Sequence, residues 1–120
     1  MLFRDGERQK AYEELCSKLP DDVYYNSLAY LLTMDTVCRA HVPELLNIEE
    51  RVIVPGALEQ PWQTSTSKKT TRLAFSLFTG HTNWSPEEDV KYCAASEIFC
   101  CTYAPYYYEA IKIRYPEYAQ

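Results

Sequence analysis

Between residues 66 and 79, Thr70, Leu73, Ala74, Leu77 and Phe78 fall at i, i+3, i+4, i+7 and i+8, and Gly80 follows at once. That spacing draws one apolar stripe along a helix, and a glycine just past the stripe supplies the left-handed residue on which helices commonly stop. A stripe of this kind must be covered by other elements. The segment therefore predicts a central core helix, and the rest of the chain has to supply its neighbours.

Those neighbours read as shorter helices with marked ends. Asp5 is a candidate N-cap for a helix carrying Ala11, Tyr12, Leu15, Cys16 and Leu19, stopped by Pro20. Asp21 or Asp22 caps a second, with Tyr25, Leu28, Ala29 and Leu32 on one stripe, and Asp35 opens a short third through Val37, Cys38 and His41, ended by Pro43. Residues 44–62 are the least regular. Leu45, Leu46 and Ile48 suggest a helical turn, Arg51-Val52-Ile53-Val54 a short strand and Pro55-Gly56 a turn, so a small β pair is expected near residues 51–58. Ser85-Pro86-Glu87-Glu88 reads as a capping box opening a short helix through about Tyr92, and Ser96-Glu97-Ile98-Phe99 reads as a further turn. Pro105 starts a last helix that runs to Tyr115, with Pro116 as its stop. The expected fold is mainly α: one compact domain over residues 1–120, made of about five to six short helices and that small β pair.

Size and composition fit this reading. A chain of 120 residues with 47% apolar side chains is long enough for one core and carries too many aromatic residues for a disordered segment. Its start turns charged at Arg4 and Asp5, and no later run approaches the roughly 18 apolar residues of a membrane span, so a cytoplasmic protein without a membrane segment is expected. The net charge of −5 argues against a general affinity for nucleic acid. Residues 1–60 hold six basic and eleven acidic side chains and residues 61–120 hold six of each, so the second half is the better host for an anion.

The chemistry-bearing residues then separate into three groups. The hydroxyl run Thr64, Ser65, Thr66, Ser67, followed by Lys68, Lys69 and Arg72, places free backbone N–H groups, a positive helix end and three cations together, which suits an anionic ligand. It is not a P-loop, because the glycines that let a backbone wrap a phosphate are missing. The plainer alternative is that one hydroxyl caps the helix, Trp62 packs on the core and the lysines lie in solvent. His41 and His81 are candidate general bases, but neither belongs to a recognisable catalytic motif. Five cysteines, an odd number with no Cys-x-x-Cys pair, read as reduced thiols; neither a metal site nor a cofactor is expected. On the last helix Tyr106, Ala110 and Ile113 share one side and Tyr107, Tyr108, Ile111 and Tyr115 another. Tyr107 and Tyr108 are expected in the core, leaving Tyr106, Ala110 and Ile113 as an interface for a protein partner or a homodimer.

Two longer stretches carry a resemblance. Trp62-Gln63-Thr64 with Ser65-Thr66-Ser67 running into Thr71-Arg72-Leu73-Ala74-Phe75, and Ile98-Phe99-Cys100-Cys101 with Ala104-Pro105-Tyr106 and Glu109 to Tyr118, resemble a family of short proteins of unknown function from Firmicutes. Members are often met in phage-like or conjugative elements. The resemblance covers most of the chain and implies a cytoplasmic bacterial protein, cargo of a mobile element, with no activity attached. Together the expectations favour a non-catalytic accessory or protein-interaction protein. The alternative is a small binder of, or enzyme acting on, a phosphorylated ligand at the start of the helix near Ser67.

Overall fold

Aspartates and a threonine start the main helices of the computed structural model, which describes residues 1–80 and 91–118. Asp5 accepts the Arg8 N–H at 2.9 Å and opens α1 (Gly6–Cys16); Asp22 accepts the Tyr25 N–H at 2.9 Å and opens α2 (Val23–Met34). The Arg8 N–H and the adjacent guanidinium hold the Asp5 carboxyl below its ordinary range. Asp35 accepts from the N–H groups of Val37 and Cys38 at 2.9 and 3.0 Å and opens α3 (Thr36–Ala40). Thr64 caps α5 (Ser65–Thr79), which stops at Gly80 with φ 77°, as the stripe and its glycine predict. Two shorter helices, α6 (Ala95–Ile98) and α7 (Ala104–Arg114), complete the described residues, with 3-10 turns at Pro55–Glu59, Lys91–Cys93 and Pro116–Tyr118. The helix expected to start at Ser85 lies in residues outside the described ones.

Two expectations need correction. Pro43 does not end the third helix, which stops at Ala40; it occupies the first turn of α4 (Val42–Leu45), where a proline has no N–H bond to lose. The β pair joins β1 (Leu46–Asn47) to β2 (Val52–Ile53), antiparallel with Leu46 opposite Ile53, so the second strand falls where expected but its partner replaces the helical turn read at Leu45–Ile48. The turn between them closes through Asn47 Oδ1, which accepts the Glu50 N–H at 3.0 Å, and Arg51 takes a left-handed φ of 58°. The centre is as the stripe predicts: α5 is buried from Thr70 to Phe75 and packs against α2. Beside it lies α2, which also packs against α1 and α7. Its residues carry no charged side chain, and Ser27 to Met34 are all buried.

A polar seam runs through this core and fixes α5. Thr70 Oγ1 donates to Asp35 Oδ2 at 2.8 Å and lies 2.6 Å from the Tyr107 hydroxyl, joining the α2–α3 junction, α5 and α7 at one buried point. Asp35 is 1% exposed, so its carboxylate trades water for three hydrogen bonds. On either side of Asp35 in the chain, Met34 and Thr36 hold Arg8, also buried, which donates from Nε to the Met34 carbonyl at 2.6 Å and pairs with Asp5 and Thr36, tying α1 to the end of α2. The radius of gyration is 13.1 Å.

Candidate functional site

The first turn of α5 is closed on its inner side. Thr64 Oγ1 accepts the Ser67 N–H at 3.0 Å, and Ser67 Oγ accepts the Thr64 N–H at 2.8 Å, a reciprocal capping box built from two hydroxyls. Ser67 Oγ also donates to Gln63 Oε1 at 2.6 Å, and Gln63 Nε2 donates to the Ala57 carbonyl and to Thr71 Oγ1, both at 3.2 Å. Cys38 lies beneath, its Sγ 3.5 Å from Thr71 Oγ1. Burial, with the Asp35 carboxylate beside it, pushes the Cys38 thiol well above its ordinary range, so it stays protonated at neutral pH and is no nucleophile.

The outer side is open. Ser65, Lys68, Lys69 and Arg72 fall at i, i+3, i+4 and i+7, one face of the helix, and together with Gln63 and Thr64 they line a cleft of about 490 Å³. Tyr92 and Glu97 complete the lining, brought in by the segment before α6 and by α6 itself. Arg72 is 9% exposed, and its guanidinium stands 5.0 Å from the centre of the Tyr92 ring. Lys69 Nζ donates to the Glu97 carbonyl and so anchors α6 against α5. Lys68 is half-buried and makes neither a hydrogen bond nor an ion pair with its side chain among the described residues. Among the described residues the lining holds three cations and one carboxylate, in a chain whose net charge is −5. Such a surface attracts anions.

Of the seven candidate anion residues, Thr64, Ser65, Lys68, Lys69 and Arg72 line the cleft, and Thr66 and Ser67 do not. Ser67 is buried and its hydroxyl is spent on the cap. Trp62 packs against the core and stacks on the His41 ring, centroids 4.0 Å apart and planes 4° from parallel. His41 Nδ1 is paired with Glu44, and His81 lies outside the described residues. No disulfide joins any two of the five cysteines, and among the described residues no three His, Cys, Asp or Glu side chains are placed to hold a metal ion. The last helix reverses an expectation. Tyr107 and Ala110 are fully buried and Tyr106 and Ile113 are half-buried against the core, whereas Tyr108, expected inside, is 53% exposed and stacks on Phe99. The stripe that α7 turns to α2 runs through Tyr103, Tyr107 and Ala110, so the neighbour of Tyr107 one step along rotates outward.

Sequence reading missed Gln63, Tyr92 and Glu97. Gln63 is adjacent to the cap, but its role depends on Ala57 and Thr71. Tyr92 and Glu97 reach the cleft across about a quarter of the chain, a proximity that no local spacing encodes.

A family model described as a family of unknown function, DUF6075, matches residues 1–120. The chain belongs to the DUF6075 family. No curated protein and no solved structure matches it. Membership in DUF6075 brings no activity, and among the described residues no helix is long and apolar enough to cross a membrane. For this DUF6075 chain the functional argument therefore rests on the cleft.

Proposed function

We propose that this chain is a non-catalytic accessory protein of the bacterial cytoplasm that acts by binding, and that the cleft over the first turns of α5 takes an anionic, phosphate-bearing group. The observation that carries this reading is the concentration of Lys68, Lys69 and Arg72 in one concave site of an acidic chain. Catalysis is disfavoured by the neighbours available. Among the described residues neither cysteine nor histidine lines the cleft and Glu97 brings its one carboxylate, and the buried Cys38 is protonated. The resemblance to Firmicutes proteins carried by phage-like or conjugative elements fits an accessory role. A second reading, contact with a protein partner or a second copy of the chain, is favoured by the exposed Tyr108 stacked on Phe99.

Inorganic phosphate should raise the melting temperature. At a tenfold excess over Kd, linkage gives about 1.4 kcal/mol, which moves a domain of this size by roughly 4–8 °C. The Lys68→Ala, Lys69→Ala double variant should lose most of that increment, as measured by differential scanning fluorimetry at constant ionic strength. Equal increments in parent and double variant would mean a nonspecific salt effect and would remove the anion reading.

A further inference from the structure

We infer that Cys100 and Cys101 form a redox-active dithiol, a modification site that a small-molecule disulfide of the glutathione class closes to a vicinal bridge. The five thiols differ in what can reach them. Cys38 is fully buried, and burial pushes up the Cys16 thiol as it does that of Cys38. Cys100 is exposed, and Cys101, next to it in the chain, is half-buried against the core. An accessible cysteine with a resolving partner beside it is the arrangement that thiol–disulfide chemistry needs.

The link between α6 and α7 leaves the backbone free to close the ring. Residues 99–103 lie outside both helices, and neither the Cys100 carbonyl nor the Cys101 N–H makes a hydrogen bond among the described residues. The peptide unit between the two side chains can therefore turn. Adjacent Cα atoms are about 3.8 Å apart across a trans peptide, short of the roughly 4.4–6.8 Å that disulfides usually span, so this bridge is strained. Strain makes it easily reduced, as a reversible modification requires and a structural clip does not. The Cys101 carbonyl accepts the Ala104 N–H at 3.2 Å, so oxidation acts where α7 begins.

The chemistry runs in two exchanges. The Cys100 thiolate attacks one sulfur of the oxidant, breaking its S–S bond and releasing a thiolate that takes up the proton Cys100 has lost. The Cys101 thiolate then attacks the Cys100 sulfur and expels the second small thiol in the same way. The pair gives up two electrons and two protons, and the small disulfide becomes two thiols.

The test is incubation of the full chain with oxidised glutathione, alkylation of the remaining thiols with N-ethylmaleimide, and mass spectrometry after chymotrypsin. Cleavage after Tyr92, Phe99 and Tyr103 puts Cys93 in one peptide and Cys100 with Cys101 in another. The Cys100–Tyr103 peptide should lose two hydrogens and both alkylation sites and carry no glutathione, and an excess of reduced glutathione should restore it. Cys101→Ser should stop at a glutathione adduct on Cys100. In the parent chain, a stable glutathione adduct on Cys100, a cross-link from either residue to Cys93, or a Cys100–Tyr103 peptide still fully alkylated would each overturn the inference. So would a bridge that persists in excess reduced glutathione. The parent alone decides, whether or not the variant folds.

Discussion

Phe75→Ala should lower the stability of the folded chain by about 3–5 kcal/mol. Phe75 is fully buried in the core cluster, and α5, which carries it, packs most extensively against α2. Truncating it removes the transfer free energy of the ring and leaves a cavity between two helices whose backbones are pinned by the Asp35–Thr70 bond and cannot close the gap. Since whole domains are stable by about 5–15 kcal/mol, the variant should be marginal, with a urea midpoint far below that of the parent and an unchanged slope. Phe75→Leu, which keeps most of the volume, should cost much less. A midpoint for Phe75→Ala close to the parent value would place α5 outside the core.

Asp35→Ala carries the second large effect. Its carboxylate accepts from two N–H groups at the start of α3 and from Thr70, so alanine removes a helix cap, worth about 0.5–2 kcal/mol, and strips the Thr70 hydroxyl of its buried acceptor, worth about 1–3 kcal/mol. A total of about 1.5–5 kcal/mol is expected from chemical denaturation. Asp35→Asn, which keeps a capping oxygen, should recover part of it. A loss below about 0.5 kcal/mol for the alanine variant would show that the buried seam contributes nothing net.

These two residues illustrate what was legible beforehand. Phe75 lies off the stripe of Thr70, Leu73, Ala74, Leu77 and Phe78, yet the stripe locates its helix, because period 3.6 and a terminal glycine are local properties. Asp35 was read as a cap, which it is; that the same carboxylate also holds Thr70 across 35 residues is a tertiary fact with no local trace. Pro43 was read as a stop because proline is incompatible with a helix interior, and the same lack of an N–H makes it suitable for a first turn, so one residue supports both readings. On α7, phenols on every side left the rotation of the helix undetermined, and contact with α2 decides that Tyr107 goes in and Tyr108 out. At the cleft the run from Thr64 to Arg72 identified five of the lining residues, since Ser65, Lys68, Lys69 and Arg72 share a face. Tyr92 and Glu97 depend on how the chain returns, and Ser67 could not be separated from its hydroxyl neighbours without the capping geometry.

The central claim, that the cleft over the start of α5 binds a phosphate-bearing anion, is tested most directly by a ¹⁵N–¹H correlation titration of the full chain with inorganic phosphate at constant ionic strength. The account predicts saturable shifts concentrated at the amides of Ser65, Lys68, Lys69, Arg72, Tyr92 and Glu97, with β1, β2 and the exposed side of α7 around Tyr108 unmoved. Shifts that fail to saturate, or that are largest away from α5, would contradict it.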